Sequence, residues 1–228
     1  QLDELGDRQS YFVLEKYIPG DVYHVDAIVY EREILFAEPH CYGSPPLNVA
    51  HEGGIFTSIT LQHDSPESQT LLALHAQVLH ALNFVRGVTH TEFIKSHKTG
   101  QFYFLETAAR AGGAYLMELL KASTGMDLWA EWAKVEIAGG ERPYELPPHR
   151  RDYAGIIISL ARQEHPDMSA YTDPEIAWKL ERFHHAGMVF VSPAPDRVQP
   201  LIDSYPPRFS ASDHHHPPHL GRPQSTRA

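Results

Sequence analysis

One stretch limits the fold more than any other. "VTHTEFIKS" (Val88 to Ser96) and "QFYFLETA" (Gln101 to Ala108) are both rich in aromatic and β-branched residues, and "HKTG" lies between them. Two such runs around a short polar turn read as a β-hairpin. If Lys98-Thr99-Gly100 forms a three-residue loop with Gly100 left-handed, the ribbon is centred on Thr99 and His97 pairs with Gln101. Counting outward, Ile94 faces Phe104 and Glu92 faces Glu106. Directly opposite residues share one face, with Cβ atoms roughly 4.5–5.5 Å apart. This register sets two carboxylates side by side next to Ile94 and Phe104, and regular alternation adds Ala108 and Arg110 to that face. A two-residue loop would shift the register by one and send the two acids to opposite faces.

Like charges this close repel, so a shared proton, an arginine or a divalent cation must offset them. Hard cations such as magnesium favour carboxylate, phosphate and water oxygens. Arg110 offers a planar fork for an anion. Two acids and an arginine are what a metal–polyphosphate site requires. The plainer alternative is a pair of glutamates on a solvent-facing strand.

Around the hairpin, the sequence alternates strands and helices. "YFVLEKYI" (Tyr11 to Ile18), "YHVDAIVY" (Tyr23 to Tyr30), "EILFAEPH" (Glu33 to His40) and "IFTSITL" (Ile55 to Leu61) read as strands, and "CYGSPPLNVAHEGG" (Cys41 to Gly54) as a loop. Ser65-Pro66-Glu67 starts a helix that presents Leu71, Leu74, His75, Val78, Leu79 and Leu82 at helical spacing. A second helix covers Ala114 to Ser123 and stops at Gly125; Asp127 caps a third, expected to bury Trp129, Trp132, Ala133 and Val135. Strands near "GIIISLA", "IAWKLERF" and "GMVFVS" make a small α+β module of residues 146–205, and residues 206–228 read as a disordered tail. Antiparallel strands with few helices give an α+β class.

The net charge of −10 argues against a nucleic-acid surface. No apolar run approaches the roughly 20 residues of a membrane span, and no secretory signal opens the chain. The single cysteine, Cys41, excludes an internal disulfide and makes a reducing cytoplasm the simplest home. His51 and Glu52 read as ordinary loop residues, His184-His185 as structural, and the run Asp213 to His219 as carrying no function.

Three stretches, in order, resemble the ATP-grasp superfamily: "LEKYIPGDVYHVDAIV" (Leu14 to Val29), "GVTHTEFIKSHKTGQFYFLETAARAGG" (Gly87 to Gly113) and "STGMDLWAEWAKVEIAGG" (Ser123 to Gly140). The likeness covers residues 10 to 140 and is closest to the L-amino-acid ligase and biotin carboxylase-like branch. It implies an α+β C-terminal lobe of an ATP-grasp domain, an antiparallel sheet with flanking helices, over residues 1–145. By the same resemblance, Glu15, Lys16, Tyr17 and Ile18 would border adenine and His24 would face ribose or phosphate. Glu92 and Glu106 would hold Mg2+ (or Mn2+) on ATP, and Arg110 would meet the carboxylate substrate or its acyl-phosphate. Many relatives carry Asn two residues after the second Glu; here it is Ala108, which suggests fewer protein ligands to metal. The implied reaction joins a carboxylate to an amine through an acyl-phosphate. A non-catalytic nucleotide-binding or subunit-contact module is the alternative. The relatives' N-terminal domain and lid precede the matching segments, so the chain, which opens on Gln1, is expected to be a fragment, inactive without that lobe. Small-molecule partners are implied, nucleic acid and membrane are not, and a homodimer is left open.

Overall fold

A computed structural model describes residues 13–52 and 54–212. Its centre is one eight-stranded sheet in which every neighbouring pair is antiparallel, in the order β5-β4-β1-β2-β3-β6-β8-β7. The strands are β1 (Gly20–Tyr30), β2 (Glu33–Tyr42), β3 (Phe56–Thr60), β4 (Gly87–Ser96), β5 (Phe102–Ala108), β6 (Tyr153–Leu160), β7 (Ile176–Lys179) and β8 (His185–Ser192). The helices are α1 (Pro46–Glu52), α2 (Pro66–Ala81), α3 (Leu116–Thr124), α4 (Leu128–Ala138) and α5 (Pro195–Ala211).

Local chemistry explains several boundaries. The Ser65 hydroxyl accepts from the Ser68 N–H, and Pro66 opens α2 where its missing N–H costs nothing. Gly125 and Gly139 close α3 and α4 in the left-handed conformation, and Asp127 caps α4 through the N–H groups of Trp129 and Ala130. The same logic accounts for a helix that the loop reading missed: Pro46 is the first residue of α1.

The sheet is covered on both faces. Val22, Ile28 and Val88 bury against Leu116, Leu119, Leu120, Leu128 and Val135 of α3 and α4. On the other face, Tyr23, Val25 and Phe93 pack on Leu71 of α2. Further along, Ile157, Met188 and Phe190 meet Val198, Ile202, Tyr205 and Phe209 of α5.

Four expectations change. Val13 to Ile18 form no strand; Val13, Leu14 and Tyr17 are exposed. The part of that run before Val13 lies outside the described residues. The division at 145/146 does not break the sheet, because β6 adds directly to β3. Residues 206–211, read as tail, are helical: Val198, Leu201, Ile202, Tyr205 and Phe209 recur on one buried side, and this period outweighs three internal prolines. The buried face of α4 is Leu128, Glu131, Val135 and Ala138, whereas Trp129 and Ala133 are exposed. The run Asp213 to His219 lies outside the described residues. Among the described residues, no helix is long and apolar enough to cross a membrane.

Candidate functional site

Glu92 and Glu106 do stand opposite each other across β4 and β5. The route to that pairing differs from the regular hairpin. Near the turn the partners are Lys95 with Phe102, Ile94 with Tyr103 and Phe93 with Phe104, one residue out of the expected register. The loop is one residue longer than expected, with Ser96 accepting from the Gly100 N–H and Gln101 accepting from the Ser96 N–H; Gly100 is left-handed, as expected. A β-bulge at Leu105 then absorbs the slip and brings Glu106 back opposite Glu92. One consequence is a correction: Phe104 does not flank the acids but stands edge-on to buried Phe93, on the face covered by α2.

The two acids meet different surroundings. Glu106 is exposed. Glu92 is mostly buried and accepts a hydrogen bond from the Tyr42 hydroxyl at 2.9 Å, with His90 Nε2 at 3.4 Å. Burial would raise the Glu92 pKa, but the bonds from His90 and Tyr42 outweigh it and hold the carboxyl lower than usual.

Beneath Glu92 lies a polar cluster between the sheet and α3–α4. Asp26 accepts from His90 Nδ1 at 2.9 Å through one oxygen and from His24 Nδ1 at 2.8 Å through the other. His24 Nε2 meets Ser58 Oγ at 2.8 Å. The His24 ring stacks on His40, 4.7 Å between centroids. His40 has no hydrogen-bond partner on either nitrogen, although Glu38 lies 3.5 Å from Nε2. Glu38 is itself held by the Ser123 hydroxyl at 2.8 Å. Burial would raise Asp26, yet the two imidazoles hold it far below the usual carboxylate range. Burial alone would lower His90, but Asp26 and Glu92 overcome it and push it up to about 10. At His24 burial prevails and the pKa falls to about 4.

The "RAGG" segment closes this cluster. A Cβ on Gly112 would come within 3.1 Å of both Asp26 Oδ1 and His90 Nδ1, so only glycine lets the backbone lie so close without a shift. Arg110 is exposed, donates from Nη1 to the Ala111 carbonyl, and is near enough to favour ionisation of Tyr42.

Beyond Gly113 the chain passes through two non-glycine left-handed residues, Ala114 (φ 48°) and Tyr115 (φ 59°). Such strain gathers at functional sites. Both line a cleft of 660 Å³ whose walls include Phe56, Met117, Trp129 and Ile158.

No family model matches the chain. Over 136 residues, 60% of this chain and 32% of the relative, it is 26% identical to an L-arginine-specific L-amino acid ligase from Bacillus subtilis. The L-amino acid ligase from Bacillus licheniformis superposes over 86% of this chain and 54% of that one (TM-score 0.63, 14% identity).

The chain has the ATP-grasp fold. It corresponds to the C-terminal part of that fold. Another ATP-grasp structure, carboxyaminoimidazole ribonucleotide synthase from Aspergillus clavatus complexed with ATP, matches 83% of this chain and 51% of its own (TM-score 0.58, 14% identity). The chain thus spans about half the length of these solved structures and a third of the curated relative.

Of the residues singled out from the sequence, Glu92 and Glu106 stand opposite each other, with Arg110 within electrostatic reach of Tyr42. Glu15, Lys16, Tyr17 and Ile18 lie in a segment with no assigned secondary structure, and the first three are exposed. His24 is fully buried, with Nδ1 on Asp26 and Nε2 on Ser58, so it stands within the cluster and not at the surface. Asp26, Glu38, His40, Tyr42, His90 and Gly112 were missed. Their signal was polar residues two apart on three strands, at 24 and 26, at 38 and 40, and at 90 and 92. Pairing of His24 with both His40 and Glu92 turns these dyads into one patch.

Proposed function

We propose that the chain is the metal- and nucleotide-binding lobe of an ATP-dependent ligase that joins a carboxylic acid to an amine. The observation that carries this is the Glu92–Glu106 pair, restored across a bulge on the face that also bears Tyr42 and His90. The donor set there is made of carboxylate oxygens, which fits magnesium or manganese. Such an ion would offset phosphate charge and draw the γ-phosphate toward the reacting acid.

The chain's own groups would do the rest. Tyr42 holds one Glu92 oxygen, which fixes the carboxylate's direction. Arg110 receives the substrate carboxylate and then the acyl-phosphate formed when that carboxylate takes the γ-phosphoryl group of ATP and ADP leaves; an amine then attacks the acyl carbon and releases phosphate. Glu15, Lys16, Tyr17 and Ile18 supply an edge for adenine. Residues 1–145 are assigned to the binding lobe and 146–205 to the small module after it, whose β6 pairs with β3. The apolar cleft beside Gly113 favours an acid or amine with an aliphatic or aromatic side chain.

Titration of ATP into the chain, with and without magnesium, tests the reading. Binding should depend on magnesium and weaken about tenfold or more in Glu106→Gln, the loss expected for one charge-assisted contact. Magnesium-dependent binding that Glu106→Gln leaves unchanged would remove the proposed site.

A further inference from the structure

One edge of β2 is open over part of its length. β3 pairs only with His40, Cys41 and Tyr42, and just before them the Pro39 carbonyl accepts from the Leu61 N–H. Ahead of Pro39, among the described residues, β2 has no strand on that side. A strand residue turns its N–H and C=O to the same edge, and the edge repeats every second residue. Ala37 therefore aims its N–H at the open edge. A pocket of 240 Å³ occupies the gap, walled by the first turn of α2 and by residues 149–151. Ser68 is the informative wall residue. It is 0% exposed, and its Oγ has no hydrogen-bond partner. A buried hydroxyl left unpaired is costly, and a ligand oxygen is one remedy.

The charges of the wall select the sign of that ligand. Arg150 is already committed, from Nε to Asp152 at 2.9 Å and from Nη2 to the Ala122 carbonyl at 2.7 Å. The neighbouring Arg151 guanidinium pairs with no described residue, while its backbone is fixed by His63 Nε2, 3.1 Å from the carbonyl. Glu38 is the acid in the wall. Its Oε2 accepts from the Ser123 hydroxyl at 2.8 Å and lies 3.5 Å from His40, so the carboxylate is held on the α3 side of the sheet, away from Ser68. We propose that this pocket binds a small oxyanion of the phosphate class. A hydroxyl, a strand-edge N–H, a free guanidinium and the positive end of α2 border one small space, and a tetrahedral anion takes hydrogen bonds from several directions at once. The volume of 240 Å³ falls below the range of about 300–1,000 Å³ usual for larger organic ligands, which selects a free ion over a nucleotide. Glu92, Glu106 and Arg110 do not line the pocket, so the site is separate from the proposed ligase centre.

The full chain carrying Arg110→Gln, which silences the proposed acyl-phosphate contact, is titrated with inorganic phosphate in the absence of ATP and magnesium and followed by 31P NMR. It should bind one equivalent saturably. Adding Arg151→Gln should weaken phosphate about tenfold, the loss expected for one charge-assisted contact. Adding Ser68→Ala should weaken it about threefold or more, as for a neutral hydrogen bond. Both side chains can be cut back without opening a cavity, so Tm without phosphate should stay nearly unchanged, and magnesium-dependent ATP binding in the otherwise wild-type chain should not move with either. Acetate, tested in parallel, should bind more weakly than phosphate. No saturable phosphate binding, binding that survives Arg151→Gln at full strength, or acetate bound as tightly as phosphate would each overturn the assignment.

Discussion

Gly112 lies directly against Asp26: a Cβ added there would sit 3.1 Å from Oδ1, and equally close to His90 Nδ1. The loop that carries Arg110 is thereby fastened to the buried cluster through bare backbone. Gly112→Ala should destabilise the chain by about 1–3 kcal/mol, the usual cost of overpacking. Urea denaturation reads the loss. The same substitution should weaken anion binding at Arg110, because relief of the contact moves the loop; a fully stable Gly112→Ala would contradict the close approach.

Tyr42 connects the cluster to the proposed metal site. Its hydroxyl is 2.9 Å from Glu92 Oε1 and 3.3 Å from His90 Nε2. Burial, reinforced by the Glu92 charge, raises its pKa, so the phenol stays protonated and can only donate to the carboxylate. In Tyr42→Phe the ring packing survives while Glu92 loses its fixed donor. A hydrogen bond to a charged group contributes about 1.5–3 kcal/mol. Magnesium-dependent ATP affinity should therefore fall at least tenfold, measured by calorimetry. Affinity within a factor of two of wild type would show that Glu92 orientation does not depend on this bond.

His75 gives a pH signature on the other side of the sheet. It lies on the buried face of α2, and both ring nitrogens lack hydrogen-bond partners. Burial lowers its pKa to about 4, against a weaker opposing pull from Asp26. The unfolded chain protonates His75 near 6.5. A folded-state pKa below the unfolded one stabilises the fold above pH 6.5, and that stability is lost as pH falls toward 4. The shift corresponds to about 3 kcal/mol at full effect. Unfolding free energies measured across pH 7 to 4 should fall less steeply in His75→Leu than in wild type, since Asp26 and the other acids are common to both. Parallel profiles would mean that the ring is hydrated.

Where single residues carry local chemistry, the sequence was readable. Ser65-Pro66, Asp127 and Gly125 each mark a helix end that the structure reproduces. The Glu92–Glu106 pairing was also readable, but through two compensating departures from regular geometry: an extra loop residue and the Leu105 bulge. Counting positions cannot detect errors that cancel. The buried cluster was hidden for a different reason. Alternation such as His24-Val25-Asp26 normally marks a strand with its polar side in water. Here α3 and α4 fold over that polar side, and burial depends on helices some 90 residues later in the chain. Val13 to Ile18 failed in the opposite sense: strand-like composition is not enough where no ladder forms.

Trp129 is the residue on which selectivity at the cleft is most cleanly tested. It is the second residue of α4, lies 55% exposed, and shares the cleft wall with Phe56, Tyr115, Met117 and Ile158. An indole this exposed contributes little to the core, so Trp129→Ala should leave Tm nearly unchanged. It offers a ligand a broad apolar face, and removing such a wall costs about 1–3 kcal/mol of binding. Binding of phenylalanine or leucine, followed by saturation-transfer NMR, should weaken about tenfold in Trp129→Ala. Magnesium-dependent ATP binding should not move, because Trp129 does not touch the Glu92–Glu106 pair. Equal loss of both ligands would mean that α4 had shifted, and unchanged amino-acid binding would place the apolar subsite elsewhere.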